Sequence, residues 1–272
     1  MKKNFDLLLN RYFENGYARL GKICSNSELL KLNKRVKDLM SGNIEYKNMF
    51  FQLDSKDGKY ENIDKNSETF VGPSSRYRKI KDLEYDELFN KVIKKKIIKF
   101  FAKSLIGKNV SCMRAMVLNK PNKNSSVLPF HQDVANDWKM SKKPKFTLWL
   151  SLNGANKKNG CLRALKGSHK DGILNKGHLV NVNSKFLKKR PIEYIALKKG
   201  EAIIFDNHLV HGSDKNRTKK NRLAFTVCML DANAIHLKTK KRYPKIFGRG
   251  SINYKTIKNI KKTRIIPRKV YH

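Results

Sequence analysis

Three residues of this 272-residue chain have the types and spacing to hold a redox metal: His131 and Asp133, on either side of Gln132, and the distant His211. Two imidazoles and one carboxylate form the facial set that proteins use for non-haem Fe(II), leaving the other metal positions open for a co-substrate and O2. A strand explains the spacing. Residues two apart on a strand point to one face, so His131 and Asp133 can grip one ion while Gln132 turns away.

His-x-Asp alone is a weak signal, and the chain carries a second copy, His169-Lys170-Asp171. That copy follows Leu165-Lys166-Gly167-Ser168, which reads as a turn. The first copy follows the apolar approach Val127-Leu128-Pro129-Phe130 and is the one expected to bind metal.

The elements that must position these residues change character along the chain. The first third reads mainly helical. Phe5 to Asn15 is amphipathic and stopped by Gly16, and Ser27 can cap a helix carrying Leu29, Leu32, Val36, Leu39 and Met40. Tyr85 to Leu105 returns to helix, after a polar, irregular stretch from Asn43 to Pro73. From Ser111 the pattern becomes short strands: Met113 to Leu118, Phe146 to Leu152, Cys161 to Leu165, Ile192 to Leu197, Ala202 to Phe205 and Leu223 to Leu230. The expected fold class is therefore mainly β with flanking helices, around a double-stranded β-helix (a cupin-like jelly-roll). We expect one domain over 1–235, helical over 1–110 and jelly-roll over 111–235, with a basic extension over 236–272.

Alternation sorts the strand faces. Phe146, Leu148, Leu150 and Leu152 make one apolar face, opposite Thr147, Trp149 and Ser151. Leu223, Phe225, Val227 and Met229 pack outward, which leaves Arg222 on a face with the small residues Ala224, Thr226 and Cys228. An arginine aimed into a barrel needs an anion, because an unpaired buried guanidinium is very costly. A carboxylate held bidentately is its natural partner. His211 and Ser213 can likewise share a face.

Composition bounds the partners. The net charge is +39, with 61 Lys and Arg against 22 Asp and Glu. Those lysines are spread among abundant Asn and Ile, as AT-rich coding produces, so nucleic acid is a partner the charge permits but does not favour. After Asp231 no acidic residue occurs, and the basic tail from Lys238 to Lys269 is read as solvated. No stretch reaches the length of a membrane span, and the start of the chain has no sustained apolar segment. Cys24, Cys112, Cys161 and Cys228 show no metal or disulfide spacing and read as free thiols of a reducing cytoplasm.

The ordered set of motifs resembles the phytanoyl-CoA dioxygenase (PhyH)-like family of Fe(II)/2-oxoglutarate oxygenases. The matching stretches are Met116-Val117-Leu118-Asn119-Lys120-Pro121, Pro129-Phe130-His131-Gln132-Asp133, Thr147-Leu148-Trp149 and Asn159-Gly160-Cys161-Leu162-Arg163. They continue through Gly167-Ser168-His169, Gly200-Glu201-Ala202-Ile203-Ile204-Phe205-Asp206, His211-Gly212-Ser213 and Asn221-Arg222. The resemblance implies that His131, Asp133 and His211 ligate Fe(II), and that Arg222 with Ser213 holds the distal carboxylate of 2-oxoglutarate. It also implies that Trp149 and Met116 line the cofactor pocket, with Lys79 as a further contact. Lys166 stands where the family usually has Pro before Gly-Ser-His, a departure that loosens a turn and touches no ligand.

The same resemblance implies an O2-dependent dioxygenase that decarboxylates 2-oxoglutarate to succinate and CO2 while oxidising a C–H bond. Related halogenases have a small residue in place of the carboxylate, so Asp133 favours hydroxylation, with desaturation and ring closure left open. The expected substrate is a small metabolite, and the lysine excess makes an anionic one easy to attract. Its pocket is expected from the loops at 43–73, 134–144 with Trp138, and 169–189, which vary freely on a shared barrel. An oxygenase acting on nucleic acid or protein through the basic tail, and a non-catalytic polyanion-binding protein on the same scaffold, are the alternatives. Oligomeric state is not legible.

Overall fold

The structure, a computed structural model, describes residues 2–44, 46, 49–63, 69–122, 125–135, 137–174, 182, 184–188 and 190–252. The helices form where apolar residues recur at helical spacing. α1 (Lys2–Asn15) buries Leu8 and Tyr12. Gly16 ends it at φ +83°, with its N–H on the Tyr12 carbonyl, and a Cβ there would collide with His169 and Leu209. α2 (Asn26–Met40) is capped by Ser25, two residues before the expected cap. Ser25 and Glu28 close a reciprocal capping box that Ser27 has no partner three residues on to form.

The helix expected over Tyr85 to Leu105 is two helices, α3 (Glu87–Ile93) and α4 (Lys96–Leu105). The reason lies in the faces. α3 buries Phe89, Val92 and Ile93, and α4 buries Ile98, Phe101 and Ala102. On one continuous helix those sets would sit half a turn out of phase. The break at Lys94 and Lys95 turns both toward the same core.

The strands are β1 (Tyr17–Lys22), β2 (Phe51–Leu53), β3 (Tyr77–Ile80), β4 (Val110–Lys120), β5 (Leu128–His131) and β6 (Phe146–Ser151). They continue with β7 (Leu162–Leu165), β8 (Ile192–Ile195), β9 (Glu201–Asp206), β10 (His211–Ser213), β11 (Arg222–Asp231) and β12 (Lys245–Phe247). One sheet runs β1-β9-β6-β11-β4-β3-β2, and β12 pairs with β4; the other runs β5-β10-β7-β8. These pairings are antiparallel, giving the expected two-sheet jelly-roll with helices on one side. The amino-terminal third is less helical than expected, since β1, β2 and β3 all extend the larger sheet. Being short and mixed in charge, they carry little period to read.

The expected faces hold. Phe146, Leu148, Leu150, Phe225, Val227 and Met229 join one core with the helices, including a Phe89–Phe225 ring contact at 4.7 Å between centroids. Trp149, Ala224 and Phe205 turn to the opposite side, toward the smaller sheet.

The boundary expected after residue 235 falls inside packed structure. β12 pairs with Val110 and Ser111, completing the edge of β4 whose other end β3 occupies. Ile246, Phe247 and Ile252 are buried in the helix-covered core. The basic residues from Lys255 onward lie outside the described residues, as do parts of the 43–73 and 169–189 segments. Among the described residues no helix is long and apolar enough to cross a membrane, and all four cysteines are buried and unpaired.

Candidate active site

His131 closes β5 and His211 opens β10, and the two are direct partners across the strand pair. Gly212 lets the strands meet: a Cβ there would lie 2.8 Å from the Leu128 carbonyl and 3.1 Å from that of Pro129. Each imidazole is oriented from behind. Nδ1 of His131 donates to the Pro129 carbonyl at 2.8 Å, and Nδ1 of His211 to the Leu209 carbonyl at 2.9 Å. A carbonyl can only accept, so each Nδ1 carries a proton, and Nε2 is the atom that each ring turns toward the Asp133 carboxylate. Burial, then the neighbouring His211, push the His131 pKa down to about 3, keeping that ring neutral.

Asp133 reaches the site differently from the expectation. β5 ends at His131, and Asp133 lies in the bend beyond it, with its N–H bonded to the Asn207 carbonyl at 2.8 Å. A turn anchored on the 206–211 loop, rather than strand alternation, brings its carboxylate beside the imidazoles. Arg114 Nη2 donates to Oδ1 at 2.5 Å, and Thr147 Oγ1 lies 3.4 Å from Oδ2 while donating to Asn207 Oδ1 at 2.8 Å. Burial alone would raise the Asp133 pKa, but Arg114 and then the two imidazoles outweigh it and hold the group well below the usual carboxylate range.

The donor set suits a divalent ion. Nε2 of His131 lies 4.0 Å from Asp133 Oδ1, and Nε2 of His211 lies 3.9 Å from Oδ2. Two donors each about 2.1 Å from one ion can stand at most about 4.2 Å apart, so one ion can bridge either pair. Gln132 does turn away, giving its amide N–H groups to the Gly172 and His208 carbonyls and accepting from Leu174 N–H. The second His-x-Asp copy is elsewhere: His169 bonds the Phe13 carbonyl and Asp171 pairs with Arg190.

Arg222 is buried at the start of β11, with its guanidinium 5.4 Å from the Trp149 ring centroid and Nε without a partner. Burial pushes its pKa down to about 10. Its cross-strand partner is Lys120, also buried, whose Nζ donates to the Ser126 carbonyl at 2.6 Å. Among the described residues neither has a carboxylate within ion-pair distance, the environment an anion would complete. Ser213 is buried on β10 just past Gly212.

Met116, Trp149 and Lys79 line the same chamber as the three candidate ligands, a cavity of about 120 Å3. Lys79 makes no ion pair among the described residues; burial, and then Arg78, Lys81 and Arg114, hold its pKa well below that of a free lysine. Tyr60, from the 43–73 segment expected at the pocket, also lines it, as do the cations Arg78, Lys81 and Arg114, which the linear pattern did not single out. Arg114 had a readable signal, since it stands two residues before Met116 on β4 and so shares its face. Asn207, next to the strand ending at Asp206, had none.

Residues 12–224 match the family model described as phytanoyl-CoA dioxygenase (PhyH). Phytanoyl-CoA dioxygenase 1 of Oryza sativa subsp. japonica is 27% identical over 248 residues, spanning 81% of this chain and 87% of its own length. The peroxisomal phytanoyl-CoA dioxygenase of Bos taurus is 24% identical over 239 residues, spanning 83% of this chain and 68% of its own. Among solved structures, the epimerase SnoN in complex with Fe3+, alpha ketoglutarate and nogalamycin RO superposes with a TM-score of 0.68 at 18% identity, over 89% of each chain. EctD from S. alaskensis with bound Fe gives 0.62 at 18% identity, over 85% of this chain and 77% of that one. At such identities these two establish the shared fold. With most of its length matched by the family model, the chain belongs to the phytanoyl-CoA dioxygenase family and is an Fe(II)/2-oxoglutarate-dependent dioxygenase.

Proposed function

We propose that His131, Asp133 and His211 hold Fe(II) and that the enzyme hydroxylates a small-molecule metabolite, converting 2-oxoglutarate to succinate and CO2. The observation that carries this reading is the convergence of two oriented imidazoles and one carboxylate, kept ionised by Arg114, inside one chamber. Bound iron supplies the O2 activation that no amino-acid side chain can.

The chain's own residues supply orientation. Arg222, helped by Ser213, takes the distal carboxylate of 2-oxoglutarate, whose charge answers the unpaired guanidinium. Trp149 and Met116 pack against the carbon chain and exclude water. Lys79, facing the same chamber, offers a second cation to the co-substrate. Arg114 and Thr147 hold the Asp133 carboxylate so that it meets the metal in one orientation. Retention of a carboxylate at position 133 supports hydroxylation over halogenation. The unpaired cysteines fit a reducing compartment such as the cytoplasm.

Anaerobic titration with Fe(II) and 2-oxoglutarate tests the assignment, read through the weak visible charge-transfer band and, after admitting O2, through succinate formed. The wild type is expected to show the band and Asp133→Ala to lack it. A folded wild type with no band, or an Asp133→Ala variant that keeps it, overturns the reading.

A further inference from the structure

The turn between β9 and β10 reaches the candidate ligands through three consecutive carbonyls. That of Asn207 accepts the Asp133 N–H at 2.8 Å, that of His208 accepts Gln132 Nε2 at 2.6 Å, and that of Leu209 accepts His211 Nδ1 at 2.9 Å. Two of the three candidate ligands, and the residue between His131 and Asp133, thus hang on one short turn. A ligand set has to be held to within about 0.5 Å of its working geometry. A loop is more mobile than a strand, so this turn must be fixed by groups outside its own backbone.

Asp206, the last residue of β9, supplies the fixing. Its Oδ1 accepts from the His208 N–H and from His208 Nδ1, both at 2.9 Å, and its carbonyl accepts the Leu209 N–H at 2.8 Å. Its Oδ2 accepts from the Tyr12 hydroxyl at 2.9 Å, and its own N–H donates to the Gly16 carbonyl at 2.8 Å. Those last two partners lie at the carboxyl end of α1, and Tyr12 and Asp206 are both buried. Burial by itself would raise the Asp206 pKa, but His208, followed by Tyr12, outweighs it and holds the group below its ordinary value. The carboxylate is therefore an acceptor for all three donors.

Gly167-Ser168-His169 clamps the same corner. Gly167 N–H donates to the Asn15 carbonyl at 2.8 Å and His169 Nε2 to the Phe13 carbonyl at 3.0 Å, while Ser168 Oγ accepts the Val210 N–H at 2.9 Å. The last carbonyls of α1, left open by the end of the helix, are thus satisfied by the segments that follow β7 and β9. No described residue of α1 lines the chamber. Its end is nonetheless bonded to the turn that carries the site.

We propose, on the iron assignment made above, that Asp206 is a positioning residue for the metal and that Tyr12 makes α1 a support of the site. Asp206 acts through the turn. Without its carboxylate the carbonyls of Asn207, His208 and Leu209 lose their common frame, and Asp133 and His211 no longer present their donors to one point.

The test uses the full chain with Co(II), a first-row ion that the same nitrogen and oxygen donors accept. Binding is read from its visible absorption and by competition against a chelator, without 2-oxoglutarate or O2. Asp206→Ala is expected to bind Co(II) about ten- to a hundredfold more weakly and to shift the bands, since the approach of Asp133 changes. Tyr12→Phe keeps the ring and loses one hydrogen bond, so it should weaken binding about fivefold. Ile246→Ala, destabilised in the helix-covered core, should bind as the wild type does. On metal-free protein, hydrogen exchange in the peptides spanning 131–135 and 206–213 should quicken about tenfold relative to β11 in Asp206→Ala, and not in Ile246→Ala.

The proposal is overturned if folded Asp206→Ala holds Co(II) within about twofold of wild type, if its exchange is unchanged, or if Ile246→Ala loses as much affinity. Should Asp206→Ala not fold, Tyr12→Phe decides by the same readouts. A wild type that binds no Co(II), or binds it equally after Asp133→Ala, would defeat the iron assignment instead. The exchange comparison on metal-free protein then still decides whether Asp206 holds the turn.

Discussion

His131 and His211, eighty positions apart in the chain, are directly paired across β5 and β10, with ring centroids 4.4 Å apart. The pairing places both imidazoles in one chamber. Asp133 joins them through the Asn207 carbonyl, four residues before His211, so the candidate ligands come from one strand pair and the bend that follows β5, anchored on the turn after β9. The site is a local unit of the smaller sheet, closed over by β4, β6 and β11 of the larger one.

Arg222 is a buried cation with no ion pair among the described residues, and its replacement separates binding from folding. Arg222→Met should lose the thermal stabilisation that 2-oxoglutarate gives the wild type, and raise the 2-oxoglutarate KM by about a hundredfold. Without co-substrate the variant should melt at or above the wild-type temperature, because an apolar side chain replaces an unpaired charge. Thermal scans with and without 2-oxoglutarate check both arms, and an unchanged KM would remove Arg222 from the site.

Asn207 holds Asp133 at second hand. Its side chain accepts from Thr147 and donates to Cys228 Sγ at 3.2 Å, and its carbonyl takes the Asp133 N–H. Asn207→Ala should lower Fe(II) affinity by about ten- to a hundredfold. The stability cost should be about 1–3 kcal/mol, from the buried partners left unpaired. Competition against a chelator measures the affinity and urea unfolding the stability; an unchanged affinity would show that Thr147 and Arg114 suffice.

Glu84 makes stability depend on pH. It is 3% exposed, and burial, followed by the nearby Asp82, raises its pKa from 4.5 to about 8. Between those values the unfolded chain gives up a proton that the folded protein keeps. Stability from this group is thus full below pH 4.5 and lost as pH rises through 8. Glu84→Gln should melt near the wild-type temperature at pH 5 and several degrees above it at pH 8.5. His131 acts on the acid side: lowered from 6.5 to about 3, it costs metal-free stability as pH falls between those values. Melting curves from pH 4 to 9 on metal-free protein read both slopes.

β12 belongs to the fold. Ile246 is 1% exposed and pairs its strand with the open end of β4. Ile246→Ala should cost about 2–4 kcal/mol in urea unfolding. Ending the chain at Pro244 should cost more and promote aggregation, since Val110 and Ser111 would become an unpaired strand edge. A truncated chain with wild-type stability would show that β12 merely rests on the surface.

Alternation exposed the lumen faces of β6 and β11 in advance, because strands buried on both sides still obey a period of two. It misplaced Asp133, because the chain leaves β5 at His131 and a bend has no period. It passed over Arg114 because one arginine among so many cations draws no notice until a carboxylate is seen beside it. The helix over Tyr85 to Leu105 looked continuous because each half is amphipathic, and only the shared core shows that the halves face it through a break.

The linear chain by itself determined the candidate metal-ligand types, the family they belong to, the alternating strand faces and the place of Arg222 on a face of small residues. These are properties of residue identity and short-range spacing, which backbone geometry translates directly. Tertiary structure alone decided that His131 lies against His211, that Arg114 and Asn207 govern Asp133, that residues 245–247 complete the β4 edge, and that a second cleft opens beyond Lys81 and Arg114. Each joins segments far apart in sequence. Such contacts are selected by the packing of whole sheets and helices, where many weak burial energies are summed, and no local pattern in the chain records that sum.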